Sequence, residues 1–337
     1  MRRGIALSVS APRVMVVLVV ATLAGAVPCM RAQQDNKSGA SQIRILHVQG
    51  RVYMLTGAGA NITVQVGDNA VVLVDAGVPQ MSEQVLSAVR TLSQKPIEFI
   101  LDTTTDEDHI GGNQNLAKAG NFSTGLPGEE SGASVVAQLN ALNWMSAPTG
   151  KTPPVAVALW PSDTYDNDKW EFFNDEAVIL EHPHAAHTDG DTVVFFRRSD
   201  VVSVGEIFTP LLYPVIDPKR GGTINGEIDA LNQVIDIMVP REGEEGGTYV
   251  IPGHGRLCDR AEIANYRDMV TIIRDRIEDL VKKGKTVDQV KAAKPTMDYD
   301  GVYGADSGPW TTEMFIEAVY NDLSKQKTAQ GQAKKNE

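Results

Sequence analysis

Four short runs rich in valine, isoleucine and leucine, residues 43–48, 52–55, 61–66 and 70–74, are separated by Gly50, Gly57, Gly59, Gly67 and Asp68. Runs of that length with such punctuation read as strands of a meander. Helical spacing follows over 80–92, where Met81, Val85, Ala88, Val89 and Leu92 recur on one face. Pro96 ends it, and 97–101 is a further apolar strand. The order β-β-β-β-α-β, with a polar motif directly after the last strand, predicts a layered α/β domain with its site at strand ends.

Beyond that motif, residues 121–131 turn polar and glycine-rich and read as an inserted loop, and 148–154 as a connection. A helix is expected over 135–145, strands over 170–173, 178–182, 192–197, 201–204 and 249–251, and helices over 231–238, 262–283 and 311–323. No internal sequence repeat is visible.

The N-terminus carries Arg2, Arg3 and Arg13 ahead of an apolar stretch over 14–27, too short for a membrane span, with the small residue Ala32 beyond it. Residues 1–32 therefore read as a secretory signal peptide, with an uncleaved anchor as the alternative. Residues 33–42 are a flexible lead-in. Cleavage removes four arginines and no acid, which moves the formal charge from −12 to −16. Such an acidic surface repels phosphate backbones, so nucleic acid is excluded as a partner class. The expected partner is a small-molecule substrate in the periplasm or outside the cell, with no stable membrane association after cleavage. Cys258 is then the sole cysteine, so neither an internal disulfide nor a thiolate-rich zinc site is available.

The chemistry-bearing segment runs Asp102-Thr103-Thr104-Thr105-Asp106-Glu107-Asp108-His109-Ile110-Gly111-Gly112-Asn113. Asp and His side by side on a strand-to-helix loop put two ligands of different softness within reach of one metal ion. Three further segments add to it: His184-Ala185-Ala186-His187 between two strands, Gly205-Glu206 at a strand end, and Pro252-Gly253-His254-Gly255 after another strand. Together, and in this order, they resemble the metallo-beta-lactamase superfamily. There a loop H-x-H-x-D-H-x-G-G-N precedes a His, an Asp in G-D and a His in P-G-H-G. The resemblance runs from residue 43 to the early 280s.

What the resemblance implies is an α/β four-layer αββα sandwich over 43–285, a C-terminal helical extension over 286–326 and a disordered polar tail over 327–337. Asp108, His109 and His254 fall on the second metal position, His187 on the retained imidazole of the first, and Glu206 on the bridging carboxylate. Thr104 and Asp106 stand where the family has its two leading histidines. Either Asp106, His187 and Glu206 still form a first site, or only Asp108, His109 and His254 hold an ion. The cofactor expected is zinc, one or two ions, and an oxygen-rich donor set also admits manganese or iron. The activity implied is that of a metal-dependent hydrolase in which Asp108 or Glu206 holds the attacking water and accepts its proton. The rival expectation is a non-catalytic binding protein that keeps one metal or none.

Other residues take plainer readings. Asp75 either supports the metal loop or is a turn acid. His182 and His184 read as surface histidines, Cys258 as a small buried residue, and Trp144, Trp160, Trp170 and Trp310 as core or pocket wall.

Overall fold

A computed structural model describes residues 42–121, 132–147, 153–241 and 246–336. The segment read as a signal peptide (1–32), the lead-in (33–42) up to residue 41, the loop over 121–131 beyond Asn121 and the connection over 148–154 up to residue 152 lie outside the described residues.

Short apolar runs pair into two sheets. The first has seven strands in sequential order: β1 (Arg44–Gln49), β2 (Val52–Ala58), β3 (Ala60–Val66), β4 (Val71–Val74), β5 (Ile97–Leu101), β6 (Ser134–Gln138) and β7 (Asp163–Tyr165). Its first four strands are antiparallel neighbours and the last four are parallel. The second sheet has β8 (Asp168–Phe173), β9 (Glu176–Glu181), β10 (Val193–Phe196), β11 (Val201–Ser203), β12 (Tyr249–Ile251) and β13 (Cys258–Asp259), again in sequential order. Within it β11 and β12 run parallel and the other neighbours antiparallel.

β4 shows why the layers stack. It is Val-Val-Leu-Val with every residue buried, as a central strand covered on both faces requires. Val72 and Val74 point toward the second sheet and pack with Leu180, Val194, Phe196 and Ile251. Val71 and Leu73 point the other way, under α1 (Ser82–Leu92) and its neighbour α3 (Asn113–Ala119). On the far side, α5 (Ile224–Ile237), α6 (Arg260–Lys282) and α9 (Thr312–Asn336) cover Val193, Val202, Val204 and Val250. The order is helices, sheet, sheet, helices: the αββα sandwich expected from the sequence.

Some local expectations change. Residues 135–145 divide into β6 and a helix α4 (Leu139–Ser146), with the Gln138 side chain capping Asn140 N–H at the junction. Val135 and Val136 pair with β5, a partner that helical periodicity cannot register. The short elements β7, β13, α7 (Val287–Ala292) and α8 (Asp300–Tyr303) carry too few residues to show a period. The last helix runs on to Asn336, through most of the stretch expected to be a disordered tail. Trp170 is 62% exposed rather than packed in a core or pocket wall.

The long helix α6 starts where its sequence dictates. The Asp259 carboxylate accepts from Ala261 N at 3.0 Å and Glu262 N at 3.2 Å, while Glu262 reaches back to Asp259 N at 3.1 Å. This capping box satisfies donors that the first helical turn leaves open. Asp259→Ala is expected to cost roughly 1 kcal/mol of unfolding free energy. A urea titration with an unchanged slope and a lowered midpoint checks this.

Candidate metal centre

The site forms where strands of both sheets end. After β4 the chain turns through Asp75 at φ 65°, and Asp75 N–H donates to Leu101 O at 2.9 Å. The fully buried His109 sits on the short helix α2 (Glu107–Ile110), and its carbonyl accepts from Ala76 N and Gly77 N at 2.7 and 2.9 Å. Gly112 is required by that close approach, since a Cβ there would lie 2.2 Å from Ala76 O. Asn113 in turn donates to Asp102 at 2.8 Å.

Asp75 does more than turn the chain. Its carboxylate accepts from Thr103 N at 2.8 Å, from the Thr103 hydroxyl, and from His109 Nδ1 at 2.8 Å. The second nitrogen, Nε2, is thereby aimed at Glu206, whose Oε1 lies 3.0 Å away. The same Glu206 oxygen is 3.2 Å from His254 Nε2, which also stands 3.1 Å from Asp108 Oδ2. The Pro-Gly-His-Gly loop is fixed by Asn61, which donates to Pro252 O and Gly255 O at 2.9 and 3.1 Å. Donor atoms of Asp108, His109 and His254 all lie within 4.8 Å of one another.

The electrostatics follow from this packing. The hydrogen bond from His254 is the main force holding the Asp108 carboxyl below its ordinary range. Burial opposes ionisation of Glu206, yet contacts with His109 and His254 hold its carboxyl well below normal. His254 is pushed up to about 9, first by Asp108 and then by Glu206. Burial disfavours a charged His109, but Asp75 and Glu206 outweigh it and raise its pKa well above normal. Two imidazoles among ionised carboxylates, one with its second nitrogen tied to Asp75, form a donor set that fits a divalent ion.

Asp106 and His187 form a separate group. His187 Nδ1 donates to Val215 O at 2.6 Å, and its Nε2 lies 3.0 Å from Asp106 Oδ2. Asp106 also pairs with Arg220, a residue that no motif singles out. Arg220 further donates to Thr105 Oγ1 at 2.9 Å and to Asp217 at 2.8 Å, and stacks over the Trp144 ring at 5.2 Å. Of the six candidate ligands, the structure thus gathers Asp108, His109, Glu206 and His254 in one cluster and Asp106 with His187 in another. Thr104 is buried, and its hydroxyl has no partner among the described residues. His182 is only 7% exposed and pairs with Asp191 O, contrary to the surface position expected, whereas His184 is exposed.

Beside this second group opens a cleft of about 320 Å³ lined by Thr105, Asn140, Trp144, Thr188, Lys219 and Arg220. A larger cavity of about 760 Å³, at Asn113, Lys118 and Trp160, contains none of the six residues.

A four-layer αββα sandwich with imidazoles and carboxylates converging at one edge of both sheets defines a metal-binding class of α/β proteins. The chain belongs to the metallo-beta-lactamase superfamily, whose profile matches residues 55–259. Solved structures agree in fold. A metallo-beta-lactamase from Pontibacter korlensis superposes with TM-score 0.52 at 14% identity, covering 68% of this chain and 99% of its own. The DIM-1 metallo-beta-lactamase gives TM-score 0.51 at 16% identity, with 68% and 97% covered. The stereoselective inverting sec-alkylsulfatase Pisa1 from Pseudomonas sp. gives TM-score 0.59 at 15% identity, over 83% of this chain. This chain spans half the length of that sulfatase. No curated protein matches the sequence significantly.

Proposed function

We propose that this protein is an exported metal-dependent hydrolase acting on a small ester, thioester, lactone or amide-type substrate. The observation that carries this is the convergence of Asp108, His109 and His254, with the buried His109 held in one orientation by Asp75. A divalent ion held by these three would polarise the scissile group and bring the pKa of a bound water toward neutrality. Zinc suits the donor set best, with manganese or iron as alternatives.

The residues divide the remaining work. His109 and His254 present Nε2 toward the same point, and Asp75 keeps the His109 tautomer fixed. Asp108 uses one oxygen on His254, and its partly exposed carboxylate can hold a water and take its proton. Glu206, more deeply buried, brings Oε1 to the same point as the two Nε2 atoms and would add a carboxylate oxygen to the donors around the ion. The cleft at Trp144 and Arg220 is large enough for a small molecule, and the acidic surface disfavours nucleic acid.

The test is elemental analysis of protein purified without chelator, followed by a panel of aryl esters, thioesters, lactones, β-lactams and secondary alkyl sulfates. At least one ion per chain is expected, with turnover that chelation abolishes and zinc restores. Bound metal with no turnover on any class would favour the binding-protein reading. Absence of metal after zinc reconstitution would defeat the proposal.

A further inference from the structure

We propose that the guanidinium of Arg220 takes the place of the first metal ion, so that this chain is built for one ion rather than two. The inference rests on the hydrolase reading above, in which the cluster of Asp108, His109 and His254 holds metal.

Asp106 stands where the family's loop has a histidine. An imidazole there would be a neutral ligand facing a dication, whereas a carboxylate brings a negative charge that needs a cation. Arg220 supplies it: the side chains of Asp106 and Arg220 are only 27% and 11% exposed and meet directly. The guanidinium also reaches toward the other ligand of that position, with Nη2 lying 3.4 Å from His187 Nε2. Asp106 and His187 are two of the three donors expected at a first site, Glu206 being the third.

Arg220 is held there from several sides. Asp217 takes its Nε–H, Thr105 takes an Nη1–H, and the Trp144 ring lies beneath. Its backbone is braced as well: Arg220 O accepts from Asp189 N at 2.8 Å, and Asp217 N donates to His187 O at 3.0 Å. Gly222 packs so tightly on this segment that a Cβ would lie 2.1 Å from His187 O. A planar fork fixed by two carboxylates and an aromatic face is an arrangement arginine favours, and it leaves little freedom to withdraw. A dication entering beside Asp106 would meet a fixed positive charge.

Zinc titration by calorimetry, with elemental analysis after gel filtration, tests this on the full chain. Wild type is expected to bind one zinc. Arg220→Ala is expected to bind two, the second more weakly and lost again in Arg220→Ala with His187→Ala. Arg220→Lys keeps the charge and is expected to stay at one. If Arg220→Ala does not fold, Arg220→Met keeps the stem packed on Trp144 and takes its place. Two zinc ions in wild type would overturn the proposal while leaving the hydrolase reading intact. One zinc in a folded Arg220→Ala would also overturn it. No zinc in wild type would instead defeat the metal reading on which it stands.

Discussion

Replacing His109 by alanine is expected to lower the unfolding free energy by about 3–5 kcal/mol, the range for stripping one partner from a buried ionic pair. The imidazole is fully buried between two carboxylates, Asp75 at 2.8 Å and Glu206 at 3.0 Å. Asp75 keeps its Thr103 contacts in the variant and Glu206 keeps His254, but both lose their most buried partner. The cavity left beneath α2 adds to the cost. Urea unfolding of chelator-treated wild type and variant at one pH measures the difference. A loss below about 1 kcal/mol would mean that the two carboxylates do not depend on this imidazole. The same substitution should leave less than about a tenth of an equivalent of zinc after reconstitution, since only Asp108 and His254 of the trio remain.

That dependence was partly legible in the sequence. The Asp108-His109 pair and the Pro-Gly-His-Gly loop follow predicted strands, and their contexts are those the structure shows. In sequence, Asp75 reads either as a loop support or as a turn acid. It is both, because φ 65° turns the chain while the carboxylate reaches His109. The strands of the first sheet up to β5 were visible because each has an apolar run closed by glycine or proline. β6 was not, since Val135 and Val136 continue without a break into the apolar residues of α4.

Arg220 was invisible for a different reason. Its partner Asp106 lies 114 positions earlier in the chain, and nothing local in Asp217-Pro218-Lys219-Arg220-Gly221-Gly222 marks one cation among the others. A charge argument held the only usable signal: a carboxylate replacing a histidine in a half-buried loop needs a compensating cation. The burial of His182 is hidden from the sequence for the same kind of reason, because it comes from the tertiary fold and from Asp191 O, not from neighbours in sequence.

Zinc affinity of the chelator-stripped protein is expected to climb steeply with pH between about 6.5 and 9, then more gently. A metal ion held there would take the Nε2 lone pairs of His109 and His254, so a proton on either would have to leave first. His254 holds its proton to about 9 because Asp108, and then Glu206, stabilise the imidazolium. His109 holds its own well beyond the ordinary range: burial works against the charge, but Asp75 and Glu206 prevail. Asp108 and Glu206 are already ionised across this window and add no proton to the balance. Affinity should therefore rise by up to about a hundredfold per pH unit where both imidazoles hold a proton, one decade for each proton displaced, and less steeply once His254 has lost its own. Calorimetry at pH 7 in two buffers of different ionisation enthalpy should show about two protons released per zinc. Stability moves in the opposite sense. A raised imidazole pKa stabilises the stripped protein fully below about 6.5 and loses that contribution as pH rises through about 9. The stripped protein should thus unfold at lower urea at pH 9 than at pH 6.5, while the zinc-loaded protein, its imidazoles already neutral, should not. An affinity flat between pH 7 and 9 would mean that these two imidazoles carry no proton there, and that the carboxylates around them do not act as the geometry requires.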